Sequence, residues 1–587
     1  MAESPAGRSS ALPPCPARPS STEESALGFV RRPMVRWLDP HQLVDTAARV
    51  LLSGIFSSYA DNRELQALTP TEVTDRSQSG PSGLWLDYVA DLGDGWNPTY
   101  TVAKLLAAEG LELECEGETH VTERGRILVM GGDQVYPVPK RAEYENRMLG
   151  PYRSALPCAT EDGPELFAIP GSHDWYDGLV NFTSIFCHGR WIGGWKTRQR
   201  RSYFALKLPS GWWLWGIDVQ FGAHLDDAQL EYFAGVATDQ VAEGDRIIVC
   251  TAKEVQSGRS ADEIFSDRNL EYLEHEVIEP AGARVVLHLK SGRHHYCRNV
   301  EEDGPRQHIT SGGGGAFLHP THRLPEEFVI PGRESDGPYR RAGIYPSPEV
   351  SRKLRKRVWL LPFFNLPLAA AFGTVQVLLA FMMGLQFHNR YASLDPVELT
   401  RAVWESPTAF VLILFMIVLL AGMVRFAHDA KGVPKVVLGL VHAGLQLSSV
   451  GGVMIAASWL TTELIGSRGT TSMVLFLGLV AVLGGIGGTF GMSGYFWATN
   501  CLGFHGNEAY APLHHMDQKH FLRLHFDADG GLTLYPVGID RVGRKWTLSP
   551  DAAPDAPWFA PEGAEPEAHL IEKPVEIDPD GLSRLPR

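Results

Sequence analysis

Short apolar runs that end in polar turns recur along the first part of the chain. Ile127-Leu128-Val129-Met130 runs into Gly131-Gly132-Asp133-Gln134-Val135-Tyr136, and Leu166-Phe167-Ala168-Ile169-Pro170 into Gly171-Ser172-His173-Asp174. Tyr88-Val89-Ala90 stops at Asp91, and Val285-Val286-Leu287 at His288, with His294-His295 just beyond. Such runs predict buried strands, and in an open α/β sheet ligands and catalytic groups collect where strands end. Several Asp and His at successive strand ends predict a metal site. Between the strands, Asn97-Pro98 predicts the start of a helix carrying Val102, Leu105 and Leu106, because Asn caps helices and Pro suits the first turn. Ser202–Leu208 and Trp212–Asp218 flank Pro209-Ser210-Gly211 as a hairpin. His224, Asp226 and Asp227 read as the opening of another helix. Alternating strand and helix with an inserted hairpin predicts an α/β layered sandwich.

Beyond Pro331 the pattern changes. Val358–Phe387, Ala409–Phe426, Val436–Leu460 and Met473–Ala498 are continuous apolar runs, each near or above the roughly 20 residues a helix needs to cross a bilayer core. They predict four transmembrane helices. Arg340, Arg341, Arg352, Lys353, Arg355, Lys356 and Arg357 precede the first run, and Arg425, Lys431 and Lys435 separate the second from the third. By the positive-inside rule the α/β domain, the middle connection and the C-terminus face the cytoplasm. His442 and Gln446, one turn apart, read as interhelical hydrogen-bonding residues, and Gly484 with Gly488 gives G-x-x-x-G spacing for close packing. Upstream, residues 37–68 carry Val44, Ala47, Ala48, Leu51 and Ile55 on one helical face, which predicts a helix packed on the neighbouring domain. Downstream, Phe521–Phe526 alternates towards Asp529-Gly530-Gly531 and Leu532–Tyr535 returns, a β-hairpin pattern.

The expected organisation is a disordered lead (1–30), a helical lead-in (31–80), the α/β domain (81–335), a basic juxtamembrane linker (336–357), four spans (358–500), a small β-rich cytoplasmic domain (501–548) and a disordered acidic Pro-rich tail (549–587). Composition adds three constraints. A net charge of -15 over 587 residues argues against a nucleic-acid partner, since phosphate backbones attract basic faces. Seven cysteines without a C-x-x-C pair predict reduced thiols in a cytosolic setting. Met1–Glu24 has no apolar core, so no cleavable signal peptide is expected.

The candidate chemistry lies at the strand ends. Two divalent metals about 3.5–4 Å apart polarise a phosphoryl oxygen and supply a hydroxide in line with the leaving group, and carboxylates and imidazoles suit them as ligands. Asp91, Asp94 and Asp133, with His294 or His295, are the candidate ligands, and His173 the candidate proton donor. Asp91-Leu92-Gly93-Asp94-Gly95, Gly132-Asp133, Gly171-Ser172-His173-Asp174 and Ser291-Gly292-Arg293-His294-His295-Tyr296 resemble, in order, the motifs of the calcineurin-like metallophosphoesterase superfamily. The layout, including the stretch from Gly312 to His322, resembles its membrane-attached branch with C-terminal transmembrane helices.

The resemblance implies a metallophosphoesterase-like α/β/β/α sandwich with Asp91 on the first metal, Asp133 bridging, His294 as the last ligand, and His173 as an acid oriented by Asp174. The family pattern is D-x-H, G-D, G-N-H-D or G-N-H-E, G-H and G-H-x-H. Here Gly93, Ser172 and Gly292 replace a His, the Asn and a His, and Cys250-Thr251-Ala252 holds no His where the separate G-H falls. Asp94 and Ser172 are the expected substitutes. The implied function is hydrolysis of a phosphate mono- or diester, with one or two divalent ions (Mn, Fe, Zn or Mg) as cofactor. The expected partners are a membrane-proximal phosphorylated substrate and the lipid bilayer, and the expected location is multi-pass in the plasma membrane. The alternative is a catalytically impaired phosphoesterase fold acting as a phospho-ligand sensor or scaffold. His505-Gly506-Asn507-Glu508 reads as a local cap or turn.

Overall fold

The computed structural model describes residues 12–46, 73–78, 80, 82–219, 225–252, 269–302, 304, 306–329, 338–390, 407–428, 430–465, 470–549 and 552–578. The chain divides into two compact units, Met1–Val35 with Thr46–Pro348 and Met516–Arg587, and Arg36–Asp45 with Glu349–His515.

In the first unit Leu84–Val89, Ile127–Met130 and Glu165–Ala168 are parallel neighbours in one sheet. Trp212–Ile217, Arg246–Thr251, Arg284–Lys290 and Gln307–Ser311 are parallel neighbours in a second, with Phe204–Lys207 antiparallel to Trp212–Ile217 as the expected hairpin. Successive side chains enter different cores. Leu128 and Met130 pack with Tyr100, Val102 and Leu106 of the Trp96–Ala107 helix, whereas Ile127 and Val129 meet Leu214, Ile248 and Leu289 of the other sheet. The far face of that second sheet, with Trp213, Trp215 and Val249, packs on Tyr232, Phe233 and Val236 of the Asp227–Gln240 helix. Helix, sheet, sheet and helix are therefore layered, and strands buried on both faces must be apolar throughout, which is why their runs show no alternation. Asp226 caps the second helix by accepting from Gln229 N at 2.9 Å.

Several expectations are corrected. The first helix is capped at Gly95, not Asn97; the Asn97 amide donates to the Arg544 carbonyl at 3.2 Å. The β-rich segment after residue 501 is not a separate domain. Lys519–Phe526 pairs antiparallel with Leu84–Val89, Leu522 opposite Tyr88, and Leu532–Ile539 pairs outside it. The tail continues the sheet through His569–Leu570 and Val575–Ile577, and Trp558 and Phe559 are buried, so the described part of 549–587 is folded. The N-terminal lead is folded from residue 12 onward: Arg18 donates to the carbonyls of Ser549, Ala553, Ala556 and Pro557. Cys15 and Cys158 form a disulfide, against the reduced-thiol expectation. A helix begins at Pro40 and is described to residue 46; the rest of the 37–68 segment lies outside the described residues.

In the second unit, Val433–Ile465 and Thr470–Cys501 are long and apolar enough to cross a membrane. The first apolar run is not one straight helix: Pro348–Phe364 and Leu366–Met382 meet at 62°. Pro362 and Pro367 bracket the break, and Asn365 Oδ1 accepts from Leu368 N at 3.3 Å to start the second helix. The second run gives the helix Pro407–Phe426, so among the described residues two helices, or three with the bent pair, are long and apolar enough to cross a membrane, not the four expected. Gly484 and Gly488 are buried, and a Cβ at Gly488 would lie 2.8 Å from the Phe372 ring, so glycine is what lets these helices approach. Gln446 Nε2 donates to the Gly488 carbonyl at 3.0 Å, the expected interhelical bond.

Candidate functional site

The strand ends of the first unit bring three candidate ligands around one unpredicted side chain. The Tyr136 hydroxyl lies 3.3 Å from Asp91 Oδ1, 3.2 Å from Asp133 Oδ2 and 3.0 Å from His294 Nε2. Asp91 follows Leu84–Val89 and Asp133 follows Ile127–Met130, both in the left-handed region (φ 56° and 48°). Non-glycine residues held there are strained, and such strain clusters at functional sites. Asp91 also accepts the Gly292 amide at 3.0 Å. A Cβ at Gly171 or Gly312 would run into the carboxylates of Asp133 and Asp91 respectively, so both glycines keep the floor of the site open. His294 stacks on His319 (4.2 Å, 6°), and its backbone amide donates to His319 Nδ1 at 3.0 Å.

Electrostatics follows from burial. Burial, then the neighbouring Asp133 charge, pushes the Asp91 carboxyl well above the usual range. Burial, then His319, holds the His294 imidazole well below its ordinary value, so it is neutral and able to ligate. The Tyr136 phenol is pushed up by burial and then by Asp133.

His173 stands next to this group, its ring 4.4 Å from that of Tyr136. Its Nδ1 is 2.8 Å from the Pro137 carbonyl, which fixes Nδ1 as the donor. Asp174 does not orient this ring, contrary to expectation. Its carboxylate accepts from the Gly171 and Gln134 amides at 2.8 and 3.1 Å and from the Tyr144 hydroxyl. It pins the turn that carries His173, and burial followed by the Asp133 charge raises it to about 8. Asp133 Oδ1 holds the same turn through the His173 amide at 2.8 Å.

The donor set is of the kind that takes one divalent cation: two buried carboxylates, a neutral imidazole and a phenol converge, and Asp91 is raised by the same negative charge a cation would offset, although the ligand atoms of Asp91, Asp133 and His294 are held apart by the Tyr136 hydroxyl and do not all come within 4.8 Å of one another. It does not fit a second. Asp94 is buried, and its two carboxylate oxygens accept the Val35 and Phe317 amides, each at 2.9 Å, so Asp94 braces the loop. A Cβ at Gly132 would meet the Ala252 methyl, so an alanine, not an imidazole, stands beside this turn. His295 is buried, and after burial it is His319, Arg293 and His520 that oppose its protonation; it is not among the groups on Tyr136. Ser172 lies part-buried in the turn between Gly171 and His173.

Sequence reasoning missed Tyr136 and His319. The signal for Tyr136 was its place three residues after Asp133, on the same loop. His319 gave none, since its role depends on chain crossing from the glycine-rich stretch.

No protein-family model and no curated protein matches the chain. Among solved structures, GAP50, the anchor in the inner membrane complex of Plasmodium, is 15% identical, with a TM-score of 0.28 over 40% of this chain and 74% of its own. PhoD is 11% identical, with a TM-score of 0.27 over 41% and 59%. The purple acid phosphatase PPD1 from yellow lupin (Lupinus luteus) seeds is 12% identical, with a TM-score of 0.24 over 47% and 49%. The chain thus covers less than two thirds of the latter two. Likenesses at these scores assign nothing, and the chemistry rests on the residues around Tyr136.

Proposed function

We propose that the chain is a membrane-anchored phosphoesterase of the calcineurin-like type that hydrolyses a phosphate mono- or diester at a single divalent cation (Mn, Fe, Zn or Mg). The convergence of Asp91, Asp133 and His294 on the Tyr136 hydroxyl carries this reading. These four residues would hold the ion, which supplies Lewis acidity towards a phosphoryl oxygen. His173, held through Nδ1 by the Pro137 carbonyl, would protonate the leaving oxygen from Nε2. Asp174 and Asp133 fix the backbone that carries His173, and Asp94 fixes the loop that carries Asp91. In this reading the apolar helices of the second unit are the anchor, Val433–Ile465 and Thr470–Cys501 with the pair bent at Asn365 as a third span, and the substrate is membrane-proximal. The basic residues around the spans favour a cytoplasmic phosphoesterase unit. The Cys15–Cys158 disulfide favours an oxidising compartment for the same unit, and so bears directly against that side.

The second reading, a phospho-ligand sensor or membrane scaffold, is favoured by the commitment of Asp94 to backbone amides and by Ala252, not an imidazole, beside the Gly132 turn. Hydrolysis of aryl phosphate mono- and diesters by the purified chain in Mn²⁺ separates the two. The phosphoesterase reading predicts turnover that falls about 100-fold or more in Asp133→Asn, the scale of losing a dominant electrostatic contact. Wild-type turnover indistinguishable from that of Asp133→Asn at background supports the sensor and sinks the enzyme.

A further inference from the structure

The second unit gathers two histidines and a glutamate from segments far apart in sequence. His428 lies just after the Pro407–Phe426 helix, and His505 and Glu508 just after the Thr470–Cys501 helix. One ligand atom from each of the three falls within 4.8 Å of the others, and no other group of this kind occurs among the described residues. Glu508 Oε1 is 3.1 Å from His428 Nε2, and Glu508 Oε2 is 3.6 Å from His505 Nδ1. The other His505 nitrogen, Nε2, lies 3.0 Å from the Tyr495 hydroxyl. With Nε2–H donating to that oxygen, Nδ1 carries the lone pair, the arrangement by which an outer hydroxyl sets a ligand's tautomer.

Two further observations mark the place as built. His505 is fully buried, yet its backbone is left-handed (φ 52°, ψ 38°), a strained conformation that a glycine would adopt more easily. Its side chain makes no capping bond to the short helix that follows, so of the expected cap or turn the chain makes the turn. The ring is instead clamped by Phe426, stacked at 5.1 Å and 11°.

We infer that His428 Nε2, His505 Nδ1 and Glu508 form a binding site for a zinc-class divalent cation. Two imidazoles and one carboxylate select Zn²⁺, Co²⁺ or a similar first-row ion over Mg²⁺ or Ca²⁺, which take oxygen ligands. Three protein ligands leave a fourth tetrahedral position for water, and His428, with its side chain 59% exposed, gives the ion a route in. The ion would tie the connection after one apolar helix to the segment that follows another, a clamp on the helical unit independent of phosphoester chemistry.

Cobalt titration of the metal-stripped full chain in detergent, in an Asp133→Asn background, tests this. The expected result is one equivalent of bound Co²⁺ with the strong visible absorption of a low-coordinate site, lost on adding His428→Ala. Tyr495→Phe weakens binding about tenfold, as outer-shell losses do. His428→Cys restores the equivalent and adds a thiolate-to-cobalt charge-transfer band, which separates loss of a ligand from loss of fold. Cobalt uptake unchanged by His428→Ala, or no stoichiometric uptake by the Asp133→Asn chain, overturns the site.

Discussion

Tyr136, Asp94 and Lys519 show how far single side chains depart from what their neighbours in sequence suggest. Tyr136 closes the ring of Asp91, Asp133 and His294, while Asp94, two apolar or small residues beyond a metal-type Asp91, spends its carboxylate on amides. Lys519 is 1% exposed with Nζ donating to the Asp517 carbonyl at 3.0 Å. Burial lowers its ammonium from the ordinary 10.5 to about 8. Between those values the unfolded chain binds the proton and the folded chain does not, so stability rises with pH across that window and is lost as pH falls through about 8. Urea unfolding of the full chain at about pH 7 and about pH 10 is expected to show this gain, and Lys519→Met to flatten it; equal pH dependence in the two proteins removes Lys519 as the cause.

Among the elements, the Lys519–Phe526 strand is the one whose place was hardest to read. Its hairpin pattern with Leu532–Ile539 was plain from alternation and Asp529-Gly530-Gly531. Its docking was not, because its partner Leu84–Val89 lies far upstream and the contact that fixes it is polar: Arg523 is fully buried and donates to Asp87 at 2.7 and 3.3 Å. A charged residue in a hairpin reads as solvent-facing until its partner is known. Arg523→Ala leaves Asp87 buried and unpaired, and is expected to cost about 3–5 kcal/mol. Replacing both with apolar residues should recover most of that loss, and chemical denaturation measures each step. The parallel strands, by contrast, were legible because burial on both faces demands unbroken apolar runs. The tail strands were not, because Trp558, Phe559, Leu570, Val575 and Ile577 are single anchors spaced by Pro, Gly and acidic residues without a period.

Across the whole molecule, the sequence pattern separates into an α/β part and an apolar helical part, and the structure divides into two compact units. What composition could not show is chain routing: the α/β unit draws strands from both sides of the helical segment, and the Cys15–Cys158 disulfide closes a separation of 143 residues. Cysteine spacing along the chain carries no sign of such a pair. The central claim, one cation held around Tyr136, is tested most directly by crystals of the full chain soaked in Mn²⁺, with diffraction recorded at the manganese absorption edge. A single anomalous peak is expected in that position, ligated by Asp91, Asp133, Tyr136 and His294. Soaked crystals that leave the position bare, or that place the ion on Asp94 or Ser172 instead, contradict it.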